Sequence, residues 1–329
     1  MSATENQHPT PIIDFHVHVN DLYLRQQSAG KTVLSGFGTR ELPGKDRGAR
    51  DRELLHPDAQ VEDMDRAGID VNVLTIATVQ QNSSWAEPAQ DLELCRHAND
   101  TVASWVAKHP TRFVGTFILP LQDMALALSE FERCVSQLKM RVIQLPSNVK
   151  GAYLGEPVFQ ELWAAIHQGN LTAMIHPEGT TDLWFQKYRM WNSLGQPVEE
   201  AKVMTSLIYE GVLERHPGIK IVMSHGGGMM PHYMGRFDRN VYNMPESMVN
   251  ITKKPSEYLR HLYFDSCVYT PDTLRALIKI VGADRIVLGS DYPVGDPNRI
   301  NFVRDVVTPD EFRLIASTTP ASLLGLTGR

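Results

Sequence analysis

Eight short apolar runs rich in β-branched residues, alternating with longer stretches of helical spacing, limit the folds open to this chain. The runs cover residues 11–18, 70–77, 112–119, 140–146, 171–176, 219–224, 262–265 and 285–289. Strands that alternate with helices pair in parallel, because each helix carries the chain back to the starting edge of the sheet. The helical stretches have recognisable ends. Asp58 and Gly68 bound one, and 88–108, 123–138, 157–168, 199–215 and 270–281 each close near a glycine, a proline or a new strand. Eight such units describe a closed (β/α)8 barrel better than an open doubly wound sheet. The 329 residues exceed the ~250 that such a barrel needs. One barrel domain over 1–329 is therefore expected, with an insertion at about 19–56.

Polar residues recur at one address on these units. His16-Val17-His18 ends the first run, and side chains two apart on a strand share a side. His176 closes the fifth run, His225 follows the sixth in Ser224-His225-Gly226-Gly227-Gly228, and Asp291 follows the eighth in Gly289-Ser290-Asp291-Tyr292-Pro293. All five stand at carboxyl ends, where a barrel carries its chemistry. Three imidazoles and one carboxylate suit Zn²⁺, which takes nitrogen and oxygen donors at about 2.0–2.2 Å. Mn²⁺ is the alternative, since selectivity also depends on geometry and supply. His16, His18, His176 and Asp291 are the expected ligands. His225 is reserved for proton transfer near neutral pH. A His-Pro pair alone means little, and those at His56, His109 and His216 have no such address.

Two stretches fall outside the regular repeat, 19–56 and 177–197, and both follow a strand's carboxyl end. The first crowds Arg40, Lys45, Arg47, Arg50 and Arg52 together, which favours an anionic ligand. The second carries Trp184 and Trp191, flat apolar surfaces for a conjugated substrate. The formal charge of −6 and the lack of a basic block argue against a nucleic-acid partner. No stretch approaches the ~20 apolar residues of a membrane span, and the polar first eleven residues lack the apolar core of a signal peptide. A soluble, cytoplasmic protein is expected. Cys95, Cys134 and Cys267 are scattered and read as buried small hydrophobes.

The ordered set Ile13-Asp14-Phe15-His16-Val17-His18, His176-Pro177, the His225 glycine turn and the Asp291 segment resembles the amidohydrolase superfamily. It is most similar to the branch of 2-amino-3-carboxymuconate-6-semialdehyde decarboxylase and related aromatic-acid decarboxylases. The likeness extends to Glu62-Asp63-Met64-Asp65, Pro120-Leu121-Gln122-Asp123 and Gly235-Arg236. It implies a metal-dependent barrel with three histidines and Asp291 as ligands and His225 as the catalytic base. Binuclear relatives carry a bridging lysine at the end of strand four. Here that strand is Met140-Arg141-Val142-Ile143-Gln144-Leu145-Pro146, and Lys139 precedes it, so one metal is expected. The family's substrate-binding arginine falls in register with Gly48, beside Arg47 and Arg50. Arg236 matches the family arginine that reaches the neighbouring subunit's site, which implies a homodimer.

The resemblance implies non-oxidative decarboxylation of an unsaturated or aromatic carboxylic acid, a small-molecule carboxylate. Loss of CO₂ leaves carbanion character on carbon, so a cation to orient the carboxylate and an acid to deliver a proton are both needed. His225 and Asp291 are the candidate proton carriers. The same parts serve a hydrolase or hydratase acting on a carbonyl, lactone or activated alkene, which is the alternative.

Overall fold

The computed structural model describes residues 11–29, 31, 47–77, 83, 85–177, 182–295 and 299–326. Eight parallel strands follow one another around a ring. β1 (Ile13–Val19), β2 (Val71–Ile76), β3 (Phe113–Phe117) and β4 (Val142–Leu145) come first. A small antiparallel hairpin of β5 (Asn148–Val149) and β6 (Ala152–Tyr153) intervenes. The ring continues with β7 (Thr172–Ile175), β8 (Lys220–Met223), β9 (Tyr263–Asp265) and β10 (Ile286–Val287). The Phe15 amide donates to the Leu288 carbonyl at 2.8 Å and the His18 amide to that of Tyr292 at 2.7 Å, joining the last strand to the first. The expected (β/α)8 architecture is present.

Helices α1 (Leu22–Ser28), α2 (Arg47–Leu55) and α3 (Pro57–Ala67) precede β2, α4 (Pro88–Lys108) precedes β3, and α5 (Met124–Ser136) precedes β4. α6 (Gln160–Gln168) leads to β7, and α7 (Gln196–Tyr209) and α8 (Val212–Arg215) lead to β8. α9 (Met230–Asn243) and α10 (Pro271–Val281) flank β9. Finally, α11 (Arg299–Val306), α12 (Pro309–Arg313) and α13 (Thr319–Leu324) follow β10. Their ends have local causes. Pro88 starts α4, the Asp123 carboxylate accepts from the Leu126 amide at 3.0 Å to cap α5, and Gly68 closes α3 in the left-handed region. Leu94, Ala98, Val102 and Trp105 recur every three or four residues on α4, with Cys95 beside them, so one face is buried against the barrel.

Apolar side chains form two layers. Val71 and Val73 of β2, Val142 of β4, Met174 of β7, Val222 of β8 and Val287 of β10 meet Ile13 and Phe15 in one cluster, which only the barrel interior allows. Ala321 and Leu323 of α13 close it from below, and the Thr172 hydroxyl donates to the Leu323 carbonyl. The alternate residues, Leu74, Ile76, Ile143, Leu145, Ile175 and Met223, face outward onto the helices. Each fully buried Leu or Ile contributes roughly 1.5–3 kcal/mol.

β1 departs from strict alternation. Ile13 and Phe15 belong to the inner layer, yet Val17 and Val19 belong to the outer one. The register with β2 shifts between Asp14 and Val17, a bulge that reverses which side each later residue takes. This bulge, more than the spacing of His16 and His18, brings both imidazoles into the barrel.

Four regions differ from the sequence expectation. The stretch 199–215 is broken at Gly211, whose φ of 71° ends α7 and restarts the chain as α8. The hairpin after β4 and the helix α9 were not anticipated. Part of the 19–56 insertion is helical, because Asp21 caps α1 and α2 follows. Arg40, Lys45 and the side chains of Arg47 and Arg50 lie outside the described residues, while Arg52 pairs with Glu62 on the surface. Among the described residues, no helix is long and apolar enough to cross a membrane.

Candidate metal centre

His16 and His18 leave the bulged end of β1, His176 follows β7, His225 stands in the turn after β8, and Asp291 lies in the turn after β10. Their side chains converge at the barrel mouth. One ligand atom each from His16, His176, His225 and Asp291 falls within 4.8 Å of the others. His18 joins them, with Nε2 3.3 Å from His16 Nε2 and 2.9 Å from Asp291 Oδ1. Ring centroids of His16, His18 and His176 are 5.0–5.1 Å apart, and His225 stands 5.1 Å from His176. His225 and Asp291 both have positive φ, 49° and 54°, a conformation that costs a residue with a side chain roughly 1–3 kcal/mol. The surrounding fold holds that strain where the cluster needs it.

The other ring nitrogens decide what the cluster can do. His16 Nδ1 donates to Asp265 Oδ2 at 2.6 Å. The Thr75 hydroxyl spends its proton on the Val17 carbonyl at 3.0 Å, so at 3.1 Å it accepts from His18 Nδ1. His176 Nδ1 donates to the Pro177 carbonyl at 3.2 Å, and His225 Nδ1 to Glu200 Oε1 at 2.5 Å. With each Nδ1 committed as a donor, the Nε2 atoms of His16, His18 and His176 present lone pairs inward. Two such lone pairs 3.3 Å apart repel unless a cation or proton stands between them. The donor set of three nitrogens and one carboxylate therefore fits a divalent metal ion.

Electrostatics agree with the geometry. Burial lowers the pKa of His16, with Asp265 opposing in part, and burial followed by the neighbouring imidazoles lowers His176 well below its ordinary value. Both shifts favour the neutral form, the one that can ligate. Burial works against ionisation of Asp291, but the surrounding imidazoles, with His18 Nε2 nearest at 2.9 Å, outweigh it and hold the carboxyl below the usual carboxylate range. His225 goes the other way. Burial would lower it, yet the Glu200 charge and hydrogen bond raise it above its ordinary value.

Backbone clasps fix the approach of these elements. Asp14 Oδ1 accepts from the amides of His16 at 3.1 Å and Ser290 at 3.0 Å, tying β1 to the Asp291 turn. Asp265 Oδ1 accepts from the amides of Gly226 at 3.0 Å and Cys267 at 3.1 Å while its other oxygen holds His16. One carboxylate thus sets both a histidine of the cluster and the His225 turn. Gln144 stands on the inner side of β4 and clamps the Ile76 backbone, with Nε2 donating at 3.0 Å and Oε1 accepting at 2.7 Å. Lys139 lies in the turn before β4, at the opposite end from the cluster.

The remaining sequence candidates lie on other elements or outside the described residues. Trp191 is half-buried and opens a π turn, Trp191–Gly195, that runs into α7. Trp184 is half-exposed and packs edge-on against Phe185. Arg236 is exposed on α9, where it lines a shallow cavity with Thr205, Tyr209 and Phe237. Arg47 begins α2, and its side chain lies outside the described residues. Sequence reasoning missed Asp265 and Glu200. Asp265 ends the seventh run and shared the address of the others. Glu200 lies mid-helix, and a helical glutamate carries no such signal.

The amidohydrolase family model matches residues 13–326. The 2-amino-3-carboxymuconate-6-semialdehyde decarboxylase of Dictyostelium discoideum is 30% identical over 246 residues, covering 74% of this chain and 68% of that protein. The crystal structure of 5-carboxyvanillate decarboxylase from Sphingomonas paucimobilis superposes with a TM-score of 0.85 at 26% identity, covering 96% of this chain and 99% of that one. A dihydroxybenzoic acid decarboxylase from Polaromonas, solved with bound manganese and 2-nitroresorcinol, gives 0.81 at 25% identity over 97% and 98% of the two chains. Fold, site and relatives lead to one statement: the chain belongs to the amidohydrolase family, in the decarboxylase branch of its superfamily, and is an enzyme of the carboxy-lyase kind.

Proposed function

We propose that the protein decarboxylates an unsaturated or aromatic carboxylic acid non-oxidatively, with one divalent ion held by His16, His18, His176 and Asp291. The observation that carries this is the commitment of every Nδ1 as a donor, which turns three lone pairs and a carboxylate toward one point. A divalent ion held by these residues would supply positive charge to offset the negative charge that develops as the carbon–carbon bond breaks. The electron pair of that bond stays on carbon, which takes up a proton as CO₂ departs. His225 is assigned to deliver it, a reading supported by its side chain being 14% exposed while those of His16 and His18 are 0% and 2%. Asp291 serves as ligand and as the second candidate proton carrier.

Three nitrogens favour zinc, and the manganese of the Polaromonas relative makes manganese the competing ion. Trp191 is assigned to the flat face of the substrate, and Arg47 and Arg236 to its carboxylate, Arg236 across a homodimer. The reading is completed by one barrel domain over 1–329, with the insertion at about 19–56, and by a cytoplasmic location. The test is to purify the protein without added metal, determine zinc and manganese by mass spectrometry, and assay a panel of hydroxybenzoates and conjugated dienoic acids for CO₂ release. Stoichiometric CO₂ supports the reading. Substrate loss without CO₂ would favour the hydrolase or hydratase alternative, and protein without stoichiometric metal would overturn the site.

A further inference from the structure

We infer that Glu200 is the positioning residue through which His225 acts, and that Gly228 is glycine to admit it. The inference rests on the reading that His225 handles the proton. Glu200 lies on α7, fully buried, with Oε1 2.5 Å from His225 Nδ1. Its other oxygen is buried with no hydrogen-bond partner among the described residues. A buried carboxylate normally has both oxygens answered, since an unpaired one is costly. Here the whole group is spent on one imidazole.

The neighbouring carboxylate shows what a structural role looks like on the same helix. Glu199 accepts from Ser147 at 3.2 Å, Asn148 at 2.8 Å, Tyr153 at 3.0 Å and Lys202 at 3.1 Å. The bonds from Ser147, Asn148 and Tyr153 weld α7 to the hairpin after β4. With the helix anchored by Glu199, Glu200 is held rigidly against the His225 turn. That turn is shaped to receive it. A Cβ at position 228 would stand 2.7 Å from Glu200 Oε2 and 2.6 Å from the Pro197 carbonyl, and φ there is +61°. Any side chain would push α7, and the carboxylate with it, off the imidazole.

Glu200 thus holds Nδ1 as a donor and aims Nε2 at the mouth, without touching substrate or metal. A double-mutant cycle tests this, because a residue that acts through His225 loses its effect once His225 is gone. E200Q should lower kcat roughly 10–100-fold with KM and metal content near wild type, the scale on which partners that orient a functional histidine act. In the H225A background the same change should alter residual kcat by less than about twofold. Proton NMR supplies a readout besides activity: the downfield Nδ1–H resonance lost in H225A should also be lost or moved in E200Q. Should E200Q fail to fold, E200D keeps the charge, withdraws the oxygen and carries the same readouts. An equal loss in both backgrounds, an unchanged downfield resonance, or full activity in E200Q would overturn the proposal. Failure of the His225 reading shows separately, as full turnover in H225A itself.

Discussion

Two clusters of buried charge, one on the barrel's flank and one at its mouth, use similar groups to opposite ends. On the flank, Glu130 of α5 is fully buried and every oxygen is answered. Oε2 accepts from Arg133 Nε at 2.8 Å and Arg96 Nε at 3.1 Å, while Oε1 accepts from Arg133 NH2 and Asn99 Nδ2, each at 2.8 Å. Asn99 then brackets Ile118, accepting from its amide at 2.8 Å and donating to its carbonyl at 3.0 Å, so α4, α5 and the end of β3 are joined. At the mouth, each imidazole bonds outward through Nδ1, and the Nε2 atoms of His16 and His18 face each other and Asp291. A cluster whose polar atoms satisfy one another is complete. One whose like atoms confront each other is built for a guest.

The largest test of that contrast removes the guest. His176→Ala should abolish stoichiometric metal and lower turnover by at least about 10³-fold, since a metal ion supplies several kcal/mol of charge stabilisation. Chelation of the wild type should do the same and lower the melting temperature, because an ion that binds only the folded state stabilises it by mass action. Metal analysis and calorimetry before and after chelation check both. Unchanged melting on chelation would break the comparison. His225→Ala comes next: it should retain the metal and lose about 10²–10⁴-fold in kcat, the span of general acid–base catalysis. Metal lost with it would place His225 among the ligands, as its proximity to His16, His176 and Asp291 also allows.

These two variants probe residues that were legible in the sequence, and the reason is their address. Repeated βα units fix eight carboxyl ends, and His16, His18, His176, His225 and Asp291 each follow one of them. The aim of the β1 pair was not legible. It depends on a bulge between Asp14 and Val17, hence on how β1 registers against β2, a long-range property that residue spacing does not record. α9 escaped for another reason. Met230, Met234, Phe237 and Val241 do recur at helical spacing, but the helix follows Met229 directly after the glycine turn, with no Ser, Thr, Asp or Asn cap to mark its beginning. Glu200 was hidden because mid-helix glutamates usually face water, and only the packing of α7 on the glycine turn reveals it.

Asp265 joins the two lessons, since it was visible by address and unassigned. Asp265→Asn keeps the shape but offers an amide group where either His16 Nδ1–H or the Gly226 and Cys267 amides need an acceptor. It should weaken metal affinity by roughly 10–100-fold. Competition with a chromophoric chelator measures it, and an unchanged affinity would show that Asp265 belongs with the completed clusters.

The smallest effect is expected on the flank, and it tests the other half of the comparison. Glu130→Gln should destabilise the fold by about 1–3 kcal/mol, through loss of charge-assisted hydrogen bonds. The lower part of that range is favoured because Arg96 is 47% exposed, which leaves Arg133, at 19%, as the main partner. Burial alone would raise the Glu130 carboxyl, but hydrogen bonds from Arg133 and Asn99 outweigh it and hold the folded-state pKa below the ordinary 4.5. A carboxyl lowered in the folded state contributes stability that is fully present above 4.5 and lost as the pH falls through the lower folded value. The stability gap between wild type and Glu130→Gln should therefore be constant near neutrality and narrow in the acid range below that point. Urea unfolding at several pH values measures the gap, and kcat should stay within about twofold of wild type, as for sites remote from one another. A tenfold fall in kcat would mean that the flank and the mouth are coupled, and that satisfying every lone pair does not confine a cluster to structure.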